Sequence, residues 1–326
     1  MTKLIVELCQ NHNGDRDLFG RMIEAAVKSG ADYIKMQSIF SNTVTKRDRF
    51  EEGITFADGT VKTIKRPYDA EKARLANLDL SVDDHLFFIE TCKKFGVIPL
   101  TTIFTRHAIP VVGSLPWPVK VVKVASYDCA SIPMLRELAV YFDHLIISTG
   151  ATYDEEIRAA AKLMKETGKK FSFLHCVTSY PNALEIANLS RMNWLRGFTH
   201  EVGWSDHTHV ERHGIKAAKV AIMLGADYIE RHFTILEKDQ TKDGPVSITP
   251  PLLAELDAFR KKSKEEQQQT VEAEIPEWKT MLGTPQREMT PTELLNRDYY
   301  RGRFASPGEN GWVYNWEEKP YLAEAP

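Results

Sequence analysis

Short apolar runs alternate with segments of helical periodicity along most of the chain, and this alternation occurs eight times. Several of the runs are apolar throughout, as strands are when both faces of a parallel sheet are covered. Eight successive strand–helix units predict an α/β fold, a (β/α)8 TIM barrel. We predict strands at Leu4–Cys9, Tyr33–Ser38, Ile98–Phe104, Lys120–Ala125, Leu145–Ser148, Phe171–Val177, Glu201–Trp204 and Tyr228–Phe233.

The segments between these runs have the apolar spacing of amphipathic helices, and several end in a glycine that permits a left-handed C-terminal residue. An open doubly wound sheet is the alternative arrangement. No G-x-G-x-x-G sequence follows the first predicted strand, so the usual dinucleotide signature of that alternative is missing. We predict helices at Arg16–Ser29, Asp84–Phe95, Asp154–Thr167 and Arg212–Leu224.

Two regions depart from the alternation. A long polar insertion, Asn42–Leu80, carries several arginines and lysines, and a loop of this length is usually functional or disordered. From about Lys261 the pattern dissolves into what we interpret as a solvated helix end. We therefore divide the chain into a barrel domain at 1–262 and a short C-terminal extension at 263–326, which is small for an independent core.

Charge and cysteine content exclude several classes of protein. Among 326 residues, 42 are Lys or Arg and 45 are Asp or Glu, so the net charge of -3 gives no reason to expect nucleic acid or an anionic membrane as partner. No apolar run approaches the roughly 20 residues of a membrane helix, and no signal-peptide pattern precedes the first strand, so we expect a cytoplasmic protein. The four cysteines form no CxxC pair, which argues against a disulfide framework or a zinc knuckle.

Polar side chains gather at the C-terminal ends of the predicted strands, where barrel enzymes carry their active sites. Lys35 and Lys123 supply positive charge that suits a phosphate or another dianion. His207 and His232 end neighbouring strands, and two imidazoles with open positions suit Mn²⁺, Zn²⁺ or Fe²⁺. Hydroxyl donors complete the set at Thr102, Ser126, Ser148 and Ser205.

Each of these residues also has a structural interpretation. Either lysine could simply pair with a carboxylate, and Glu7 and Glu230 are the candidates. The serines and threonines could cap the following helices, and His175 is expected to be a structural histidine of the barrel interior. The functional interpretation is favoured because all these side chains fall at the same end of their strands.

Eight short motifs in this order resemble the sialic acid synthase family, which makes N-acetylneuraminic, legionaminic and pseudaminic acids. The resemblance extends over roughly residues 4–259. The motifs are Glu7 to Gly14 (Glu-x-x-x-Asn-His-Asn-Gly), Lys35-x-Gln37, Lys123-x-x-Ser126, Ser148-Thr149-Gly150, Leu174-His175-Cys176, Tyr180-Pro181, Ser205-Asp206-His207-Thr208 and Glu230-Arg231-His232-Phe233-Thr234.

The resemblance implies a condensation of phosphoenolpyruvate with an open-chain N-acetylhexosamine, such as N-acetylmannosamine, to give a nonulosonic acid and phosphate. It implies His207 and His232 as ligands of a divalent metal, with Mn²⁺ as the first candidate and Mg²⁺, Zn²⁺ or Co²⁺ as alternatives. It also allows a homodimer. Asp128 is the candidate to position or deprotonate the attacking water. The implied phosphoenolpyruvate contacts are Lys35, Thr102, Lys123, Ser126, Ser148 and Ser205, and the implied sugar contacts are Gln37, Tyr180 and Asp243.

The chain departs from the family pattern at two places. The family commonly has Glu where this chain has Asp128, so the carboxylate is one methylene shorter. Family members also carry a small antifreeze-like domain that reaches over the partner's barrel. Here Arg301–Ser306 resembles the linker to that domain, and twenty residues follow, so we expect a tail in its place. The insertion Asn42–Leu80 is then a candidate lid over the barrel mouth.

Two other functions remain open. A lysine Schiff-base aldolase on the same barrel would use Lys123 as its nucleophile. A non-catalytic sugar-phosphate binding protein is the alternative from another class, and the presence of both histidines, both lysines and Asp128 argues against it.

Overall fold

Eight parallel strands form a closed barrel in the computed structural model, which describes residues 1–308 and 311–318. Each strand pairs with the next, and the first pairs with the eighth from Lys3↔Tyr228 to Glu7↔His232. This closure confirms the predicted TIM barrel and excludes the open sheet. The strands are β1 (Lys3–Glu7), β2 (Tyr33–Ser38), β3 (Ile98–Ile103), β4 (Val121–Val124), β5 (His144–Ser148), β6 (Lys170–Cys176), β7 (Val202–Asp206) and β8 (Tyr228–Phe233).

Helices surround the barrel, and the main hydrophobic core lies between them and the strands. Asp15 caps the first helix by accepting hydrogen bonds from the backbone N–H groups of Asp17 and Leu18. None of the helices within residues 1–308 and 311–318 is long and apolar enough to cross a membrane. The helices that cover the barrel are Arg16–Lys28, Val82–Phe95, Ile109–Gly113, Ile132–Tyr141, Asp154–Thr167, Arg191–Leu195, Val210–His213, Lys216–Met223 and Pro250–Arg260.

Two predictions about helices are wrong. The predicted helix Arg212–Leu224 is two helices, because Gly214, with φ 55° and ψ -123°, interrupts the helical backbone. The segment after Lys261 is not the solvated end of the preceding helix. It forms a separate helix, Lys264–Glu274, which begins with a capping box at Ser263.

The insertion after β2 is folded rather than disordered. It contains the helices Arg49–Glu52 and Tyr68–Ala76 and a small hairpin of Ile54–Thr55 with Val61–Thr63. One-turn 3-10 helices occur here and elsewhere, at Ser41–Thr43, Arg106–Ala108, Ser126–Asp128, Leu184–Ile186, Lys238–Gln240, Gly244–Val246 and Trp278–Met281.

The C-terminal extension folds back onto its own barrel. It contains the helices Lys264–Glu274 and Pro291–Tyr300 and a hairpin of Ala305–Gly308 with Gly311–Tyr314. The insertion and the extension meet where the Arg47 guanidinium donates 2.8 Å to the Tyr299 carbonyl. The predicted tail is therefore ordered up to 318, and its last residues, 319–326, lie outside the described residues. The division of the chain at residue 262 stays a prediction.

Candidate active site

The alternation of side chains along the strands builds the site in layers. One apolar layer fills the lower barrel interior, and its members lie on seven of the eight strands. Side chains two positions further along a strand point to the same side. The next layer towards the C-terminal ends is therefore formed by the residues that follow at this spacing. The apolar layer is Ile5, Tyr33, Leu100, Val121, Ile146, Leu174 and Tyr228. The layer above is Glu7, Lys35, Thr102, Lys123, Ser148, Cys176, Ser205 and Glu230.

Gly203 completes the apolar layer on β7. A Cβ at this position would lie 2.3 Å from the Tyr228 carbonyl oxygen and 2.7 Å from a Leu174 methyl. No side chain fits there, so the strands pack closely beneath the polar layer.

The two lysines of the polar layer are paired with two carboxylates. Lys35 forms an ion pair with Glu7, and its Nζ lies 3.5 Å from Glu230. Lys123 Nζ lies 3.5 Å from the other oxygen of Glu230 and donates 2.6 Å to Ser148 Oγ. The structure thus shows the lysine–carboxylate pairing that the sequence left as an alternative, and the floor of the barrel mouth is close to electroneutral.

The carboxylate of Glu230 is held in its ionised form. Burial alone would raise its pKa, but the charges of Lys123 and Lys35 and a hydrogen bond from Ser205 outweigh burial and bring the pKa to about 2. Glu230 therefore stays negative at neutral pH and fixes both ammonium groups at the centre of the barrel.

A cavity of about 460 Å³ opens above this floor. It brings together eleven of the twelve site residues that the sequence predicts, counted over the described residues. These are Lys35, Gln37, Thr102, Lys123, Ser126, Ser148, Tyr180, Ser205, His207, His232 and Asp243.

Asp128 is the predicted residue that does not line the cavity. It is buried at the end of the one-turn helix Ser126–Asp128, and its Oδ1 accepts a hydrogen bond of 3.1 Å from the Asn315 amide. Burial raises its pKa to about 7, against the lowering effect of that hydrogen bond. Its carboxyl group thus takes up a proton close to neutral pH.

The two predicted histidines lie side by side in the cavity wall. Their ring centroids are 5.1 Å apart with the ring planes nearly perpendicular, and the Tyr180 ring lies 4.1 Å from that of His207. Burial lowers the pKa of both imidazoles, and the neighbouring cations lower that of His207 further. Both rings are therefore neutral at pH 7, which is the form that binds metals.

A second group of metal-binding side chains shares one of these histidines. One ligand atom each from Cys9, His232 and Asp243 lies within 4.8 Å of the others. His232 Nδ1 is buried without a hydrogen-bond partner among the described residues and lies 3.8 Å from an Asp243 oxygen. This donor set suits a divalent transition metal.

The cavity wall also contains residues that the strand-end pattern does not predict. Arg74, Lys242 and Arg303 line the cavity, yet none of them lies on a barrel strand. Cys9, which follows β1 in the left-handed region at φ 43°, is buried and is not one of the described residues that line the cavity. Polar residues at strand ends do not indicate which side chains the insertions and the C-terminal extension place over the barrel mouth.

His175 is structural, as expected. Its Nε2 contacts the Ala187 carbonyl at 2.8 Å, and its ring packs against Trp204. Burial and the charge of Arg287 hold its pKa well below the usual value, so the ring is a neutral part of the core.

Comparison with known proteins identifies the family of this barrel. Residues 22–271 match the NeuB family, and the chain belongs to this family. The N,N'-diacetyllegionaminic acid synthase of Campylobacter jejuni is 30% identical over 286 residues, which are 82% of this chain and 81% of that protein. The enzyme of the same name from Legionella pneumophila is 31% identical over 304 residues, 91% of this chain and 78% of that protein.

A solved structure has the same architecture. The N-acetylneuraminic acid (sialic acid) synthetase of Leptospira borgpetersenii, in complex with citrate, superposes with a TM-score of 0.67 at 26% identity. The match covers 91% of this chain and 90% of that one. The protein is accordingly an enzyme of the transferase type, similar to synthases of nonulosonic acids.

Proposed function

We propose that this enzyme condenses phosphoenolpyruvate with an open-chain amino-sugar aldose, such as N-acetylmannosamine, to give a nonulosonic acid and phosphate. The observation that carries the proposal is the convergence of two lysines, four hydroxyls and two neutral histidines on one cavity. The names of the relatives, which are synthases of sugar acids of this class, support it.

The phosphoenolpyruvate would lie on the floor of the cavity. Lys123 and Lys35 would donate to its phosphate or carboxylate oxygens, and Ser148 and Thr102 already lie within 2.6 Å and 3.1 Å of these ammonium groups. Ser126 Oγ accepts from the Gly150 N–H, which leaves its own hydroxyl hydrogen for an anionic oxygen. Ser205 lies on the same floor. Together these donors would fix the enol carbon beneath the sugar site.

The sugar would occupy the outer part of the cavity, against Gln37, Tyr180 and Asp243. The enol carbon attacks the aldehyde carbon, a carbon–carbon bond forms, and the aldehyde oxygen takes a proton. Water then adds at the carbon that bears the phosphate, and inorganic phosphate leaves by cleavage of the carbon–oxygen bond. A divalent metal bound at His207 and His232, for which Mn²⁺ is the first candidate, would supply Lewis-acid polarisation of the aldehyde.

Asp128 as the group that positions or deprotonates the attacking water stays a proposal. Its carboxyl contacts Asn315 and is absent from the cavity lining, so this role requires the carboxyl to leave Asn315 and turn towards the cavity. Its pKa of about 7 suits proton exchange near neutral pH.

The test is phosphate release from phosphoenolpyruvate with Mn²⁺ and a panel of acceptors: N-acetylhexosamines, diacetamido sugars and unacetylated aldoses. We expect release only with an acceptor of the amino-sugar class, together with a keto acid product of matching mass. If none of the aldoses in the panel supports phosphate release, the proposal is overturned. The Lys123→Gln variant, which removes one floor ammonium group, provides the control for site-specific turnover.

The Schiff-base aldolase is the weaker alternative. Lys123 Nζ is engaged by Glu230, Ser148 and the Val124 carbonyl, and these contacts would have to break before the amine could attack a carbonyl. Borohydride treatment with pyruvate separates the two functions, because a covalent adduct at Lys123 forms only in the aldolase.

A further inference from the structure

Cys9 occupies an unusual position at the end of β1. Its backbone is left-handed, with φ 43°, which costs a residue other than glycine about 1 kcal/mol or more. The turn is held by a hydrogen bond from the Cys9 N–H to the Glu7 carboxylate, and Glu7 in turn pairs with Lys35. The floor of the cavity thus supports the strained turn that carries the thiol.

The thiol belongs to a group of three side chains, in which Asp243 is its hydrogen-bond partner. Sγ of Cys9, an imidazole nitrogen of His232 and a carboxylate oxygen of Asp243 all lie within 4.8 Å of one another. His232 Nδ1 is buried and accepts or donates no hydrogen bond within the described part of the chain. An unsatisfied buried nitrogen costs about 1–3 kcal/mol, which a bound cation would offset.

We infer that Cys9 and Asp243 act with His232 as further ligands of the divalent metal proposed above, and that a thiolate among the ligands favours Zn²⁺, Co²⁺ or Fe²⁺ over Mn²⁺. This inference rests on the metal of the proposed function. A thiolate, an imidazole and a carboxylate are the ligands that these ions share, whereas Mg²⁺ and Mn²⁺ favour oxygen. His207 lies outside this group: its Nδ1 is 3.7 Å from Cys176 Sγ, a different thiol of the cavity. On binding, Cys9 Sγ forms a bond to the metal and its proton passes to the solvent.

Titration with Co²⁺ tests this site without any assay of turnover. A thiolate bound to Co²⁺ gives a charge-transfer absorption in the near ultraviolet that oxygen and nitrogen ligands do not give. We expect the band in the wild-type protein and its loss in Cys9→Ser. Cys176→Ser is the matched control, since it removes another buried thiol, one that lines the cavity and does not belong to the group with Cys9, and it should keep the band.

Asp243→Asn provides a second variant that keeps the thiol. It should retain the band and weaken Co²⁺ binding about tenfold or more, measured by calorimetry. A band that survives in Cys9→Ser, or that disappears in Cys176→Ser with an unchanged far-ultraviolet circular dichroism spectrum, would overturn the assignment of Cys9 as a metal ligand.

A separate observation concerns three cations at the outer wall of the cavity. Arg74 from the insertion, Lys242 from the segment after β8 and Arg303 from the C-terminal extension line the mouth. They share one carboxylate: Glu71 accepts two hydrogen bonds of 3.0 Å from Arg74 and pairs with Arg303. Lys242 forms no ion pair with any described residue. We call these four residues the outer cluster.

The charges of the outer cluster do not cancel. Burial would raise the pKa of Glu71, but Arg74, Arg303 and Lys242 bring it to about 2, so the carboxylate is fully ionised. Burial and the nearby charge of Arg74 lower the pKa of Lys242, which reports mutual repulsion among the cations. Whereas the floor joins two lysines to two carboxylates, the three cations of the outer cluster face Glu71 and, at Lys242, the charge of Asp243, so these cations outnumber these carboxylates three to two. An anion at the mouth would relieve this excess.

From this excess we propose that the acceptor sugar carries a phosphate group, which the outer cluster binds while phosphoenolpyruvate occupies the floor. This inference rests on the proposed condensation. It distinguishes a phosphorylated N-acetylhexosamine from the neutral sugar and assigns Lys242, which forms no ion pair with a described carboxylate, as a specificity-determining residue.

The experiment compares N-acetylmannosamine with its 6-phosphate as acceptors. We expect a KM for the phosphorylated sugar about tenfold or more below that for the neutral one. Lys242→Gln should remove most of this difference and leave the KM for phosphoenolpyruvate within about twofold. Lys65→Gln is the matched control, because Lys65 is an exposed lysine of the insertion that pairs with Glu52 outside the cavity.

The outcomes separate this inference from the proposed condensation. Equal KM values for the two sugars in the wild-type enzyme, or equal effects of Lys242→Gln and Lys65→Gln, would overturn the phosphate site while the condensation stands. If neither sugar releases phosphate, the condensation fails, and calorimetry with the sugar phosphate decides the site: tight binding that Lys242→Gln abolishes supports it, and absent binding refutes it.

Discussion

The side-chain amide of Asn315 donates a hydrogen bond of 3.1 Å to Asp128 Oδ1 and another of 2.8 Å to the Phe104 carbonyl. The residue that follows the C-terminal hairpin therefore joins the segments after β3 and β4. The Asn315 carbonyl in turn accepts from the Ser131 hydroxyl. The hairpin is thus fastened to the rim of the barrel at the point where Asp128 lies.

Asn315→Ala should destabilise the protein by about 1–3 kcal/mol. The substitution leaves the Asp128 carboxyl and the Phe104 carbonyl buried without their donor. Equilibrium urea unfolding measures the effect. Asn193→Ala, at an exposed helix position with no side-chain hydrogen bond, is the matched control and should change stability by no more than about 0.5 kcal/mol. Equal effects in the two variants would contradict the role of the Asn315 amide.

Asp128→Asn should remove a pH dependence of stability between about pH 4 and pH 7. The folded protein raises the pKa of Asp128 from 3.8 to about 7, so it favours the protonated form. Protonated Asp128 therefore makes its full contribution to the free energy of unfolding below about pH 4. This contribution is lost as the pH rises through 7, and the total loss is about 4 kcal/mol. Thermal unfolding at several pH values should show a smaller decline in the variant and a higher Tm than wild type at pH 8. A decline of unchanged slope would refute the raised pKa.

Lys123→Gln should raise the KM for phosphoenolpyruvate by about tenfold to a hundredfold, since a charge-assisted hydrogen bond contributes about 1.5–3 kcal/mol. The variant also leaves Glu230 with Lys35 as its remaining lysine partner. Lys120→Gln serves as control, because Lys120 donates to the carbonyls of Gly113 and Leu115 away from the cavity. An unchanged KM in Lys123→Gln would remove this lysine from the binding site.

His207→Ala and His232→Ala should each abolish metal-dependent turnover and leave the barrel folded. Co²⁺ binding separates their roles: His232→Ala should lose the thiolate band, because His232 belongs to the group with Cys9 and Asp243, whereas His207→Ala should keep it. Turnover close to wild type in either variant, with circular dichroism as the control for folding, would exclude that histidine from the reaction.

The strands were the most predictable part of the fold. Tyr33–Ser38 and Tyr228–Phe233 begin and end as predicted, because apolar and β-branched residues leave little freedom to place them elsewhere. Gly214 shows where apolar spacing fails to predict the end of a helix. It interrupts a segment whose apolar spacing is continuous, and nothing in that spacing indicates the backbone angles it adopts.

The candidate site also has one part that the sequence predicts and another that it does not. Residues on the strands, such as Lys35 and His232, were found because a closed barrel brings all strand ends to one rim. The positions of Arg303 and Lys242 at the mouth depend on how the extension and the segment after β8 cross it, which the strand pattern does not indicate. The sequence also cannot show that Asp128 turns away from the cavity, because that depends on Asn315, 187 residues further along the chain.

The pairing of Lys35 and Lys123 with Glu7 and Glu230 has a thermodynamic consequence. A dianion that reaches this floor meets ammonium groups whose charge is already neutralised, and it adds two negative charges beside two others. The affinity of the floor for such a dianion is therefore expected to depend on a cation that binds together with it. Anion and metal are expected to bind synergistically, each increasing the affinity of the other by the same factor.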